Sequence, residues 1–490
     1  MESLHQLYKI GHGPSSSHTM GPEKACKHII ETYKDVAKIK VTLYGSLALT
    51  GKGHLTDYII NKTLSNYDLT INFNYTESKP HPNTMKFELY KDDWSFIDSV
   101  EVYSIGGGSI EIKGKKTKIT KENIYPFKSF EEIKQYSINN NLSLPEIVYS
   151  FEKEGIKEYL SQVYDVMSAA IKSGLEKTGE LPGNLHVLRK AKQLISSAEV
   201  FENASIKQLR IVSSYAFAVS EENASGGLIV TSPTCGASGV LPAVIFYLHD
   251  ECKVPKEKLI DALAVAGLVG NVIKTNASIS GAECGCQAEV GSACSMAAAL
   301  YCYATNATIE QLEVAIEMAM EHNLGLTCDP VEGYVQIPCI ERNAVAALRA
   351  LDVAIIASTL TNNETKVSFD EVTKTMYETG IALNSDYRET SIGGLAKTLK
   401  VKWDLGLNGG VLITNPIPLE YSLDEKVMNE AIDKAISMMN EQGIIGKDQT
   451  PYLLKTIVEL TGGNSLESNI KLVFNNCKLA ALIAKEMCDL

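Results

Sequence analysis

The chain has 490 residues, 45% apolar and 21% charged, a globular composition long enough for several domains and unlike that of a disordered or fibrous protein. Its 46 basic and 59 acidic side chains leave a net charge of -13, which repels phosphate backbones and anionic lipid, so neither nucleic acid nor membrane is an expected partner. The opening stretch MESLHQLYKIGHGPSSSHTMGPEK lacks the basic and apolar regions of a signal peptide, and the most apolar run, residues 262–270, is too short to span a bilayer; a cytoplasmic location is expected.

In chain order, GPEKACKHIIETYK predicts a helix from about Gly21, with Pro22 in its first turn. Between residues 38 and 118, IKVTLYGSLALTG, YDLTINFNY, MKFELYK and SVEVYSIGGGSIEIKG are β-branched or aromatic runs parted by Gly, Asn, Asp and Pro. They predict the strands of a small mixed α/β domain over residues 1–125. The apolar spacing then turns helical in LPEIVYSFEKEGIKEYLSQVYDVMSAAIKSGLEKT, LIDALAVAGLVGNVIK, GSACSMAAALYCYAT and IEQLEVAIEMAMEHN, which predicts an all-helical domain over residues 128–400. Further on, GGVLITNPIPLEYSLD predicts a buried strand entering a Pro-rich loop. Two helices follow it, giving a short α/β appendage over residues 406–490. The expected fold class is multidomain α+β.

The cysteines are the first chemical signal. Thiols of a cytoplasmic protein stay reduced and 11 is an odd count, so disulfides are disfavoured. Cys294 and Cys302 lie in one apolar helix and read as packing residues, and Cys26, Cys252 and Cys477 as structural. In EHNLGLTCDPVEGYVQIPCIERNA, Cys328 and Cys339 stand beside the helix breakers Pro330 and Pro338, on loops that can converge on an ion. For Cys284, Cys286, Cys328 and Cys339, metal ligation and plain burial both stay open. The wide spacing suits an iron-sulfur cluster better than zinc, which usually shows paired ligands.

Three further stretches hold candidate binding groups. In GPSSSHTMGP, the hydroxyls of Ser15, Ser16, Ser17 and Thr19 can cradle a carboxylate at a helix start, or simply cap that helix. In GGLIVTSPTCGASGVLPAV, the small residues from Ser232 to Gly236 permit close approach of a ligand, or form a tight turn between helices. In SDYRETSIGGLA, Arg388 can meet a carboxylate bidentately with Ser391 assisting, or sit in an exposed ion pair.

Taken together, GHGPSSSHTMGP, LYGSLALTGKGHLTD, HPNTMKF, SIGGG, ELPGNLHVLRKA, SPTCGASGVLPAV, SISGAECGCQAEVGSACSMAAA, EHNLGLTCDPVEGYVQIPCIERNA and YRETSIGGLA resemble the iron-sulfur-dependent L-serine dehydratases in their single-chain form, over residues 1–400. The resemblance implies a small β domain, a helical catalytic α domain and a 4Fe-4S cluster held by Cys286, Cys328 and Cys339, with Cys284 and Cys294 left to packing. It implies elimination of water from L-serine to pyruvate and ammonia, an open iron acting as Lewis acid, and a homo-oligomer expected to be a dimer. His18, with Ser17 beside it, is expected to supply or order the general base, because an imidazole with a pKa near ~6.5 suits neutral pH. Ser15, Ser16, Thr19, Ser232, Thr234, Cys235, Gly236 and Arg388 are expected to grip the carboxylate and ammonium. Desulfuration of L-cysteine on the same scaffold is the alternative, and an inactive regulatory homologue a more distant one.

Two departures stand out. Cys235 takes the place of a family asparagine, and the chain continues past GGLA through KTLKVKWDL, with Trp403 where bacterial members carry a terminal cysteine. Residues 406–490 resemble the C-terminal part of pseudouridine-5'-phosphate glycosidases. That family's catalytic lysine and metal-binding aspartate belong to the part not represented, so a second hydrolase activity is not expected. The segment reads as a structural or assembly appendage, or as the relic of a gene fusion.

Overall fold

The computed structural model describes residues 1–49, 51–74, 83–105, 107–114, 123–197, 202–328, 330–360, 365–383 and 425–489, with isolated positions between them. It divides into two compact units, Met1–Ser391 and Ile392–Leu490.

The first unit begins inside its helical layer. Leu4, Leu7 and Tyr8 are buried among helices, the Tyr8 hydroxyl donates to Leu263 O at 2.9 Å, and the buried Glu152 carboxylate accepts from Leu4 N at 2.6 Å. Strand β1 (Ile10–His12) then pairs antiparallel with a short strand, Leu228–Val230, from the middle of the helical domain. A π-helical turn, Ser16–Met20, carries the chain across to helix α1 (Gly21–Thr32) of the sheet layer. As the sequence predicts, Pro22 stands in the first turn of α1, where its missing N–H costs nothing.

The sheet is formed by β2 (Lys38–Tyr44), β3 (Asp68–Asn74), β4 (Thr84–Tyr90), β5 (Phe96–Ser104) and β6 (Ile110–Ile112), in the order β3-β2-β4-β5-β6. The β2–β3 pair is parallel and the others antiparallel. Val41, Phe87 and Val100 stand in register and are buried with α1 and helix α2 (Thr56–Thr63), while Lys40, Lys86 and Glu88 face away, the alternation of a sheet covered on one side. Antiparallel pairing also brings the end of β2, the start of β4 and the end of β5 to one edge of the sheet, since Leu43 faces Met85 and Thr84 faces Tyr103.

The helical layer contains α3 (Ile156–Glu176), α4 (Ala204–Ala224), α5 (Val240–Asp250), α6 (Lys256–Asn276), α7 (Ser292–Ala304), α8 (Ile309–Glu321), α9 (Cys339–Thr359) and α10 (Phe369–Ala382). Its core is rich in alanine: in α7 every residue from Ser292 to Leu300 is buried, and the helix lies against α6, α8 and α9. Small side chains permit that close approach on all sides. The apolar run at residues 262–270 is longer than it reads, because Leu259, Ile260, Val272 and Ile273 extend it along α6. By length and composition α6 is apolar enough to cross a bilayer, yet 78% of its apolar window is buried within the protein, as befits a core helix apolar on every face. The small sheet layer and the helical body make the chain a multidomain α+β protein, as expected.

The second unit is described through α11 (Glu425–Glu441), α12 (Gln449–Leu460) and α13 (Asn464–Asp489). Ile483 packs there with Ile413, Leu479 and Met487, and Asn475 and Asn476 both bond the Asn415 amide, at 3.2 and 3.0 Å. The strand expected within residues 409–424 falls mostly outside the described residues.

The buried N-terminal segment carries a consequence for stability. Leu7→Ala should cost about 2–5 kcal/mol and lower the denaturant midpoint of the first unit. Leu209→Ala, at a side chain 55% exposed on the same unit, should stay within about 0.5 kcal/mol of the parent.

Candidate active site

Between the sheet edge and the helical body of the first unit lies a cavity of about 450 Å³, a size suited to a small molecule. Pro14, Ser15, Ser16, Ser17 and His18 of the crossing segment line it, as do Ser46, His81, Asn83 and Ser104 from the sheet edge. From the helical side come Pro233, Thr234, Cys235 and Gly236 before α5, Gly281, Glu289, Cys328, and Cys339 at the start of α9. Two π-helical turns, Ser16–Met20 and Gln287–Gly291, reach this one cavity, and such turns recur at functional sites. The peptide bonds before Pro14, Pro233 and Pro338, in the loops leading to it, are cis.

The serine turn is held from both sides. Ser15 Oγ accepts from His18 N at 3.2 Å, Ser104 Oγ donates to Ser17 O at 2.7 Å, and Thr56 Oγ1 donates to His18 O at 2.7 Å. The His18 ring is buried, stacks on His54 with centroids 4.6 Å apart, and places Nε2 3.0 Å from Ser46 Oγ. Burial, with the neighbouring His54 imidazole as the next cause, pushes its pKa down to about 3. The near-neutral value expected from sequence is therefore corrected: His18 rests neutral at physiological pH, because the turn that brings it to the cavity also removes it from water. Two buried polar atoms of residues that line this space, Asn83 Oδ1 and Thr234 Oγ1, have no hydrogen-bond partner among the described residues. Buried groups of this kind are normally satisfied, so they mark places for a ligand.

The thiols meet the cavity from another quarter. Cys328 and Cys339 line it. Cys286 is not in its wall but is buried close to Glu289, which is. Burial raises the Cys286 thiol to about 11, with Glu289 adding to the rise and the Arg342 guanidinium, hydrogen-bonded to the sulfur, opposing it. Gly281 and Gly236 make room for these groups. A Cβ on Gly281 would stand 3.1 Å from Cys328 Sγ, and one on Gly236 2.5 Å from Glu289 Oε2. Among the described residues, no three His, Cys, Asp or Glu side chains close on one point as the ligands of a single ion do. A cluster of several irons is larger than an ion, and its thiolates stand correspondingly further apart. Soft thiol donors that form no disulfide, beside a cavity, fit that group in kind.

Several expected residues take other places. Thr19 does not line the cavity: its hydroxyl donates to His54 O at 2.9 Å and accepts from Ser15 N at 3.2 Å, so it shapes the turn. Ser232 likewise lies outside the wall that Thr234, Cys235 and Gly236 form. Arg388 and its neighbour Ser391 fall outside the described residues. Cys284 packs against Gly380 of α10, and Cys294 donates to Ala346 O at 3.3 Å, both as packing residues. Of the cysteines read as structural, Cys26 is buried, whereas Cys252 and Cys477 are exposed. Ser46, His54, His81, Asn83, Glu289, Arg342 and Asn343 were given no role by sequence, although each sits within a motif that carried the resemblance. Asn343 accepts from Gly239 N at 2.9 Å and donates to Gly236 O at 2.7 Å and Cys339 O at 2.8 Å, pinning the Cys235 loop to the start of α9.

A cavity built from hydroxyls, imidazoles, a carboxylate and thiols, walled from two layers, has the size and chemistry that suit a small-molecule enzyme. Residues 59–396 match the family model described as serine dehydratase alpha chain, and residues 3–70 the one described as serine dehydratase beta chain. The chain is 40% identical to an L-serine dehydratase of Haemophilus influenzae, over 81% of this chain and 99% of that protein. It is also 40% identical to L-serine dehydratase 1 of Escherichia coli, over 82% and 100%, and 36% identical to an L-serine dehydratase of Streptomyces coelicolor, over 80% and 98%. The chain thus belongs to the serine dehydratase family of lyases. Residues 347–486 also match a model described as indigoidine synthase A like protein, which bears out a C-terminal segment of different kinship.

The neutral state of His18 has a measurable sign. Its folded pKa lies below the unfolded value near ~6.5, so its contribution to stability is complete above that value and is lost as pH falls from there toward about 3. Replacing His18 by Asn should make the denaturation midpoint fall less on acidification from about pH 7 to about pH 4. An equal fall in parent and variant would count against a buried neutral ring.

Proposed function

We propose that the chain eliminates water from L-serine, giving pyruvate and ammonia, in the cavity between its sheet edge and its helical body. The observation that carries this reading is the meeting, around one space of about 450 Å³, of the serine turn, the Thr234–Cys235–Gly236 loop, Glu289, Cys328 and Cys339. These come from distant parts of the chain, and relatives matched over nearly their whole length are named for this reaction.

Cys286, Cys328 and Cys339 would hold a 4Fe-4S cluster. When bound, it supplies Lewis acidity toward the departing hydroxyl, a poor leaving group on its own. The protein's own groups do the rest. The hydroxyls of Ser15, Ser16 and Ser17 bind the substrate carboxylate. Among the described residues of the wall, Glu289 is the one carboxylate. It receives the ammonium, as a carboxylate does in a charge-assisted hydrogen bond. Asn83 Oδ1 and Thr234 Oγ1 gain partners when the cavity fills. His18 enters the reaction neutral, so it can accept the α-proton without first losing one. Ser46, with its Oγ 3.0 Å from Nε2, hydrogen-bonds the ring and fixes its orientation in the cavity. The segment after residue 406 is a structural or assembly appendage in this reading.

The test is an anaerobic preparation of the full chain, with iron and sulfide counted and pyruvate release measured from L-serine and from L-cysteine. Iron-loaded protein that prefers L-serine is expected; preference for L-cysteine, with sulfide released, would replace the reading by its alternative. His18→Ala should keep its iron and lose about 10²- to 10⁴-fold in kcat. Glu289→Gln should raise KM for L-serine about ten- to a hundredfold, the loss of one charged hydrogen bond.

A further inference from the structure

Arg342 lies outside the wall of the cavity, yet it joins all three of the cysteine-bearing segments. It is the fourth residue of α9, whose first is Cys339, so the two share a helical face one turn apart. Its Nη1 donates to Thr327 O at 2.6 Å, the carbonyl of the peptide that leads into Cys328. Its guanidinium also hydrogen-bonds the sulfur of Cys286. The backbone ties two of the same segments, since Gln287 N donates to Leu326 O at 3.2 Å and Gly325 N to Gln287 Oε1 at 2.9 Å. Those bonds hold one peptide against another, whereas Arg342 also reaches back to the helix that starts with Cys339.

We propose that Arg342 is the positioning residue that assembles the three-cysteine set, holding Cys286 and the Cys328 segment at a fixed spacing from Cys339. The inference rests on the reading of these cysteines as cluster ligands. An arginine suits the task because its planar fork offers donors in two directions from one rigid group, whereas a lysine ammonium is a point charge on a flexible stem. The guanidinium also brings positive charge to a place where sulfur ligands bind as anions. Its neighbour Asn343 performs the matching task for the Cys235 loop, so two consecutive residues of α9 tie the cysteine segments and that loop to one helix.

The experiment compares the full-length parent with Arg342→Lys and Arg342→Met, each purified anaerobically and reconstituted with ferrous iron and sulfide. Iron and sulfide per chain, the visible absorbance of the cluster and its rate of loss to a chelator are measured, with the thermal unfolding of each iron-free protein. Arg342→Met should lose its cluster about ten- to a hundredfold faster than the parent, with Arg342→Lys between them and the unfolding temperatures of the iron-free proteins alike. A cluster in Arg342→Met that is as complete and long-lived as the parent's would overturn the proposal. Should the methionine variant fail to fold, Arg342→Lys decides alone, because it keeps the charge and the stem: a lifetime equal to the parent's overturns the role of the fork. A parent that takes up no iron would sink the cluster reading itself, an outcome distinct from a stable cluster in the variants.

Discussion

The structure of the first unit depends on the burial of Leu4, Leu7 and Tyr8 within its helical layer. Each is worth roughly 1.5–3 kcal/mol by area, and β1 is held there by its ladder with Leu228–Val230. Only Gly13, Pro14 and Ser15 separate the end of β1 from the π-helical turn that leads to α1. A chain anchored in one layer and obliged to enter the other within so few residues must lay its serine turn at the seam. The cavity is the space left where that crossing occurs, and the position of His18 follows from it.

Electrostatics then assign different tasks to the two sides. The crossing segment and the sheet edge offer neutral donors and acceptors: serine hydroxyls, the amide of Asn83 and the His18 ring, whose burial keeps it uncharged. The helical side carries Glu289 and the thiols, with the guanidinium of Arg342 set behind them against Cys286 and Thr327. A zwitterion is matched by such a division, its carboxylate toward hydroxyl donors and its ammonium toward the carboxylate. Burial is the common cause of both effects, since it suppresses the charge of the His18 imidazole and raises the Cys286 thiol, with the Arg342 guanidinium opposing that rise.

Each side has its own scaffold. The sheet edge is rigid because three strand ends meet there, and Ser104, at the end of β5, bonds directly to the carbonyl of Ser17. On the helical side the first turn of α9 serves the same purpose, with Arg342 and Asn343 reaching to opposite neighbours. Two rigid supports with a crossing segment between them can hold reacting groups at fixed positions, which loops alone would not do.

Much of this was legible from residues alone. The period-two runs marked the strands β2 to β5, Pro22 marked the start of α1, and the alanine-rich helical spacing marked the buried helices α6 and α7. The segments that contribute to the cavity were legible too, because GPSSSH, SPTCG and the loops around Cys328 and Cys339 combine small, hydroxylated or thiol-bearing residues with helix breakers. Local sequence determines such features, since backbone preference and apolar periodicity act over a few neighbouring residues. Which residues of those segments face the cavity was decided by tertiary structure. Thr19 and Ser232 read like Ser17 and Thr234 yet turn elsewhere, His18 loses the water that would give it an ordinary pKa, and Arg342 and Asn343 acquire partners from other segments of the chain. Burial and contact across long separations are properties of the packed chain, and no spacing within a single motif encodes them.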